Sequence, residues 1–166
     1  MFIEYFNQHP EVKLIIAPHV IDENHLVEII RKLKRPYVRY TRADEKNVRK
    51  ADCLIIDCFG LLSSIYRYGE IAYIGGGFGV GIHNTLEAAV YGIPVIFGPK
   101  YQKFQEAIRL LEAKGGFSIK SYEELKALLD RMLEDEEFLR ESGMNAGLYV
   151  TDNAGATDRV LNMINF

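Results

Sequence analysis

AYIGGGFGVGIHNTLEAAVYGIPVIFGP, residues 72–99, is the stretch from which the rest of the chain is read. The apolar run Ile71–Ile74 predicts a short buried strand, and a segment of helical character follows from about residue 84. Between them glycines stand at alternate positions, Gly75, Gly77, Gly79 and Gly81, with Gly76 added. Glycine permits positive φ and lets an anion come close to the main chain, so a glycine turn leading from a strand into a helix makes a phosphate cradle. His83, Asn84, Thr85 and Glu87 arrive where a ligand would lie.

Asn84 followed three residues later by Glu87 also reads as a capping box, which would explain both residues without a ligand. It does not explain the glycine run, nor His83 beside a helix's first turn, where an imidazolium is disfavoured unless an anion is near. Ligand binding is therefore the stronger reading of the stretch. Neither G-x-G-x-x-G spacing within the run nor G-x-x-x-x-G-K-[ST] anywhere is present, so the dinucleotide fingerprint and the P-loop are unsupported.

Outward from this stretch, strands and helices alternate. A helix tail over the first residues closes at His9-Pro10, and a buried strand runs Val12–Ala17. Asp22 caps a helix over 22–34 that turns Leu26, Ile29, Ile30 and Leu33 to one face. Strands follow at Tyr37–Tyr40 and Cys53–Asp57, then a turn at Phe59-Gly60 and a short helix Leu61–Tyr68. Beyond the glycine run come a helix 84–91, a strand Pro94–Phe97, a helix 101–113 with Phe104, Ile108 and Leu111 inward, and a strand Phe117–Ile119. Ser121 with Glu124 opens another helix, one more spans about 135–148, and a last begins near Asn153. The alternation predicts an α/β fold, a parallel sheet covered by helices, with ligands at the carboxyl ends of the strands. Pro18-His19, Thr41-Arg42, Asp57, the glycine loop and Gly98-Pro99-Lys100 fall at those ends.

A length of 166 residues suits one domain, and a net charge of −3 gives no general pull toward nucleic acid. Cys53 and Cys58, an odd number of residues apart on an extended segment, would point to opposite faces, so neither a disulfide nor a metal pair is expected. No apolar run reaches the ~18–20 residues of a membrane-spanning helix.

Ala17-Pro18-His19 after a strand, IID-x-x-G at Ile55–Gly60, and YIGGGFGVGIHNTLEAAVYGIPVIFGP together resemble the C-terminal half of bacterial 3-deoxy-D-manno-octulosonic acid (Kdo) transferases. These are two-domain glycosyltransferases of the GT-B fold, and the likeness covers nearly the whole chain. It implies a Rossmann-like donor-binding domain over residues 1–166 that lacks its first strand, with the N-terminal acceptor domain absent. The implied reaction moves Kdo from CMP-Kdo to the lipid A precursor in lipopolysaccharide assembly, at the cytoplasmic face of the inner membrane. By position, Gly75, Gly76, Gly77, Gly79 and Asn84 would meet the phosphate, with Thr85 in the same string. Glu87 would meet the ribose hydroxyls, His83 would stand at the phosphate's edge, and Pro18, His19 and Gly60 would lie toward cytosine and sugar. A carboxylate suits two hydroxyl donors, and backbone amides suit a departing phosphate.

The chain departs from the family pattern in having Ala88 where proline follows L-E and Val20 where an acid follows APH. The resemblance places the catalytic glutamate, the acceptor site and the membrane-facing surface in the other domain. This chain alone is therefore not expected to transfer sugar, and no cofactor, metal or nucleic-acid partner is implied. An unfilled sheet slot would invite self-association. The alternatives are a GT-B enzyme using a UDP-sugar, either a glycosyltransferase or an epimerase, and a noncatalytic nucleotide-binding module.

Overall fold

The computed structural model describes residues 1–155 and 161. They form two compact units, Met1–Ile65 and Tyr66–Phe166. Each is built of parallel strands and helices, so the expected parallel sheet is realised as two three-stranded sheets.

The first unit contains α1 (Phe2–Gln8), β1 (Leu14–Ile16), α2 (Glu23–Lys32), β2 (Tyr37–Arg39), α3 (Glu45–Val48), β3 (Cys53–Ile55) and α4 (Leu62–Ile65). Its strand order is β1-β3-β2, with Ile16 and Arg39 both in register with Ile55. Asp22 starts α2 as expected by accepting a hydrogen bond from the His25 amide at 3.0 Å. Phe6, Leu26, Cys53 and Ile55 form the core, with Leu14, Ile16, Ile29, Ile30 and Leu33 packed around it. The strands are shorter than the apolar runs predict. Cys58 lies beyond the end of β3, so strand alternation does not fix its face as the sequence suggested; both cysteines are free.

Arg35 holds the start of this unit together. Its Nη1 donates to the carbonyls of Phe6 and His9 at 2.8 Å and of Val12 at 2.9 Å, and its Nη2 donates to Pro10 at 2.9 Å. The guanidinium also lies 4.0 Å from the Phe6 ring centroid. The last carbonyls of a helix lack intrahelical partners, and a forked cation answers both that need and the dipole's negative end.

The second unit contains β4 (Ala72–Ile74), α5 (Leu86–Ala89), β5 (Val95–Phe97), α6 (Gln105–Glu112), β6 (Gly116–Ser118), α7 (Tyr122–Glu134) and α8 (Glu136–Asn153). The order is β4-β5-β6, with Ile74, Phe97 and Ser118 in register. Central strand β5 is buried along its whole length, as an apolar run between two neighbours should be. In α6 Ala107 and Leu110 are buried, the expected Phe104 and Leu111 pack partly buried against the same core, and Ile108 is only half-buried. The helix starts at Gln105, leaving Phe104 as its cap residue. The face that meets the core is therefore broader than the one expected and includes two of its three residues.

Ser121 caps α7 by accepting from the Glu124 amide at 3.2 Å, while the Glu124 carboxylate accepts from the Lys120 amide at 2.7 Å. The reciprocal bond thus reaches one residue earlier than a capping box requires. Helix α8 runs on to Asn153, and the last expected helix falls outside the described residues from 156 on, Leu161 excepted. Small residues let α8 approach closely: a Cβ at Gly143 would stand 2.3 Å from the Gly92 carbonyl oxygen, and one at Gly115 would stand 2.4 Å from the Ala146 nitrogen. Among the described residues no helix is long and apolar enough to cross a membrane.

Candidate functional site: a glycine loop with an Asn–Glu pair

Strand β4 ends at buried Ile74, and residues 75–80 turn the chain. Gly76 has φ +88°, and a Cβ there would lie 2.2 Å from the Gly81 carbonyl oxygen. A Cβ on Gly77 would lie 2.7 Å from Gly98 Cα, so the loop and the end of β5 pack backbone against backbone. These two positions exclude any larger residue.

Hydrogen bonding gives the loop a polarity. The carbonyls of Gly75, Gly76 and Gly77 accept from the amides of His83 (3.2 Å), Gly79 (2.8 Å) and Lys100 (3.0 Å). The Gly79 carbonyl accepts from Lys100 Nζ at 2.7 Å. No hydrogen bond runs from the amides of Gly76, Gly77, Phe78 or Val80 to a described residue. Four of the loop's carbonyls are thus occupied while four of its amides have no partner among the described residues, and a lysine ammonium is fixed beside it. Such an arrangement favours an anion. The sequence places Lys100 only at the carboxyl end of a predicted strand.

After the loop, exposed His83 packs its ring over the glycines, with Cδ2 3.5 Å from the place a Gly76 Cβ would take. The capping box expected of Asn84 and Glu87 is not formed. The cap residue is Thr85, with φ −84° and ψ −24° and no side-chain cap bond. Asn84 Oδ1 instead accepts from the Leu86 amide at 3.0 Å, and its Nδ2 donates to Glu87 Oε1 at 3.0 Å. The helix expected over 84–91 is the single turn α5, so its dipole is small and the loop amides carry the site's positive potential. Within the pair, Asn84 orients the Glu87 carboxylate.

Tyr66 was read from the sequence only as part of a short helix. Burial, and then the charge of Glu87, raise its hydroxyl above the ordinary tyrosine range. Glu87 lies 21 residues on and acts on it only through the fold. Thr85 is fully buried, and its hydroxyl finds no partner among the described residues.

In the first unit, half-buried Pro18 and exposed His19 follow β1, and Gly60, with φ +87°, follows β3. Parallel register brings both segments out at the carboxyl edge of that sheet. Asp57 lies two residues beyond the end of β3. Its buried carboxylate accepts from Thr41 Oγ1 at 2.6 Å, the Thr41 amide at 2.9 Å and Arg39 Nε at 2.8 Å, while Arg39 Nη1 also reaches Glu23 at 2.8 Å. Burial alone would raise the Asp57 carboxyl. The bonds from Thr41 and Arg39 outweigh it and hold the group at about 2.

No protein-family model matches the chain. In sequence it is 35% identical over 134 residues to the 3-deoxy-D-manno-octulosonic acid transferase of Aquifex aeolicus, covering 80% of this chain and 36% of that protein. It is 34% identical over 116 residues to the enzyme of the same name from Rickettsia bellii, covering 68% of this chain and 28% of that protein. The chain therefore spans about a third of the length of these curated relatives. In structure it matches the C-terminal CMP-Kdo binding domain of WaaA from Acinetobacter baumannii with a TM-score of 0.69 and 20% identity, over 86% of this chain and 76% of that one. By sequence the chain is similar to about a third of the length of these 3-deoxy-D-manno-octulosonic acid transferases, and its fold is Rossmann-like, parallel sheets flanked by helices, as in the Acinetobacter baumannii domain.

Proposed function

We propose that this chain is the donor-binding part of a glycosyltransferase that moves Kdo from CMP-Kdo to the lipid A precursor in lipopolysaccharide synthesis. The observation that carries the reading is the loop whose carbonyls at Gly75, Gly76, Gly77 and Gly79 are occupied while its amides at Gly76, Gly77, Phe78 and Val80 are open, followed by the Asn84–Glu87 pair. The open amides and Lys100 receive the phosphate of the donor, and stabilise it as it leaves. Glu87, held by Asn84, accepts from the ribose hydroxyls. His83 borders the phosphate, with Thr85 behind it. Pro18, His19 and the Gly60 turn serve the cytosine and sugar. The relatives' names and the CMP-Kdo binding of the structural neighbour support this donor.

Acceptor binding and the catalytic base belong, on this reading, to the remaining two thirds of a relative's length. So does association with the cytoplasmic face of the inner membrane. A UDP-sugar donor remains the competing reading, because the loop and Glu87 address phosphate and ribose, which all nucleotides share. A relative over 82% of this chain, a bifunctional glycosyltransferase/methyltransferase of Fusobacterium nucleatum, keeps other transfers in view.

Calorimetric titration with CMP and UMP, repeated on Glu87→Ala, decides between them. The proposal expects CMP to bind more tightly than UMP, and Glu87→Ala to weaken CMP by roughly tenfold or more, the worth of a hydrogen bond to a charged group. Equal affinity for the two nucleotides, or indifference to the substitution, would count against it.

A further inference from the structure

The glycine loop has two limbs, and different forces hold them. On the first, residues 75–79, four carbonyls accept the hydrogen bonds described above. On the return limb, Val80, Gly81 and Ile82 make no hydrogen bond among the described residues. Val80 is fully exposed and Ile82 is buried. What bears on the residue between them is an aromatic ring. A Cβ at Gly81, whose φ is +154°, would stand 3.0 Å from both Cε2 and Cζ of Phe104. The Gly81 carbonyl oxygen would in turn stand 2.2 Å from a Cβ at Gly76. Contact therefore passes from the ring to Gly81 and on to Gly76, whose amide is one of the open four.

Phe104 is poorly suited to its own place in the chain. It is the cap residue of α6, with φ −114° and ψ 99°, and makes no side-chain cap bond. Ser, Thr, Asp or Asn there would satisfy a helix amide that phenylalanine leaves alone. The demands of α6 thus do not account for the residue. The core accounts for one side of the ring, which is half-buried against the cluster that includes Ile82, Phe97 and Ala107. The far end of the ring goes to the loop. The turn that carries it is braced: the Phe104 amide donates to the Tyr101 carbonyl at 2.8 Å, Gln102 Nε2 donates to the Pro99 carbonyl at 2.8 Å, and the Tyr101 ring meets the Phe97 ring edge to face at 5.5 Å.

We propose that Phe104 is a positioning residue for the glycine loop. Its ring holds the return limb at Gly81 and, through it, Gly76, so that the open amides stand preset for a phosphate. The proposal rests on the reading of that loop as the donor site. Without the ring the ligand itself must order the limb, and affinity falls by roughly tenfold for each residue whose backbone is fixed on binding.

Phe104→Leu removes the ring atoms that reach Gly81 and keeps an apolar side chain against the core. Two readouts on the 166-residue chain test the proposal. In the free, isotope-labelled chain, the amide order parameters of Val80 and Gly81 should fall and the Gly76 resonance should move, while α6 and β5 keep theirs. In calorimetry, CMP should bind roughly tenfold more weakly to Phe104→Leu than to the parent. Gly81→Ala presses on the same ring from the other side and should also weaken CMP. The double variant should lose less than the sum of the two, because leucine leaves room for the new methyl. Unchanged order parameters at Val80 and Gly81, loosening that spreads equally through α6, unchanged CMP affinity where the parent binds CMP, or additive losses in the double variant would each overturn the proposal. A parent chain that does not bind CMP would instead remove the donor reading, and the order parameters alone would then decide the role of Phe104.

Discussion

Asp57 shows how much one residue can hold without announcing it in the sequence. Its folded-state pKa, about 2, lies below the unfolded value of about 3.9. A depressed carboxylate stabilises the fold above the unfolded pKa, and that contribution fades as pH falls through the folded one. Unfolding measured by circular dichroism should therefore show stability lost between about pH 4 and pH 2, and Asp57→Asn should flatten that loss. At neutral pH the substitution should cost roughly 1.5–3 kcal/mol, because Arg39 keeps only Glu23 and Thr41 loses a charged acceptor. An unchanged acid profile in Asp57→Asn would contradict the clamp. The reason it was not legible is distance along the chain: Thr41 and Arg39 lie 16 and 18 residues before it. Gly76, whose need for glycine is met within five residues, was legible. The order of Asn84 and Glu87 drew attention to both, but their side chains bond each other and the cap passes to Thr85.

At the scale of elements, caps read well, and so did the α2 face, whose Leu26, Ile29, Ile30 and Leu33 all meet the core. Asp22 and Ser121 each start the helix they were expected to start, since an N-cap acts on amides two or three residues away. In α6 Phe104 and Leu111 pack against the core as expected, but the most buried positions are Ala107 and Leu110, small or central residues that a pattern of large apolar side chains passes over. Helix α8 owes its place to small residues whose purpose no periodicity reveals. Gly143→Ala would set a methyl 2.3 Å from the Gly92 carbonyl oxygen, whereas Gly147→Ala would set one 3.2 Å from Gly92 Cα. The first should force α8 outward and lower the unfolding midpoint by several degrees, a cost of about 1–3 kcal/mol. The second should lower it less. Thermal melts of the two variants compare them directly, and equal midpoints would contradict the close packing assigned to Gly143.

For the molecule as a whole, the alternation of strand and helix was enough to give an α/β class and parallel pairing, and both are observed in each unit. The division after Ile65 was not foreseen, because no proline, glycine or serine run and no change of charge marks it: Leu61–Tyr68 reads as one short helix, and the boundary falls inside it. The glycine loop is the feature on which sequence, geometry and relatives converge. If its open amides receive a nucleotide's phosphate, titrating CMP into the isotope-labelled chain should move the amide resonances of Gly76, Gly77, Phe78 and Val80 first and furthest, with the Glu87 neighbourhood following. Saturating CMP that leaves those four resonances in place, or moves a different part of the chain instead, would contradict the assignment of this loop as the donor site.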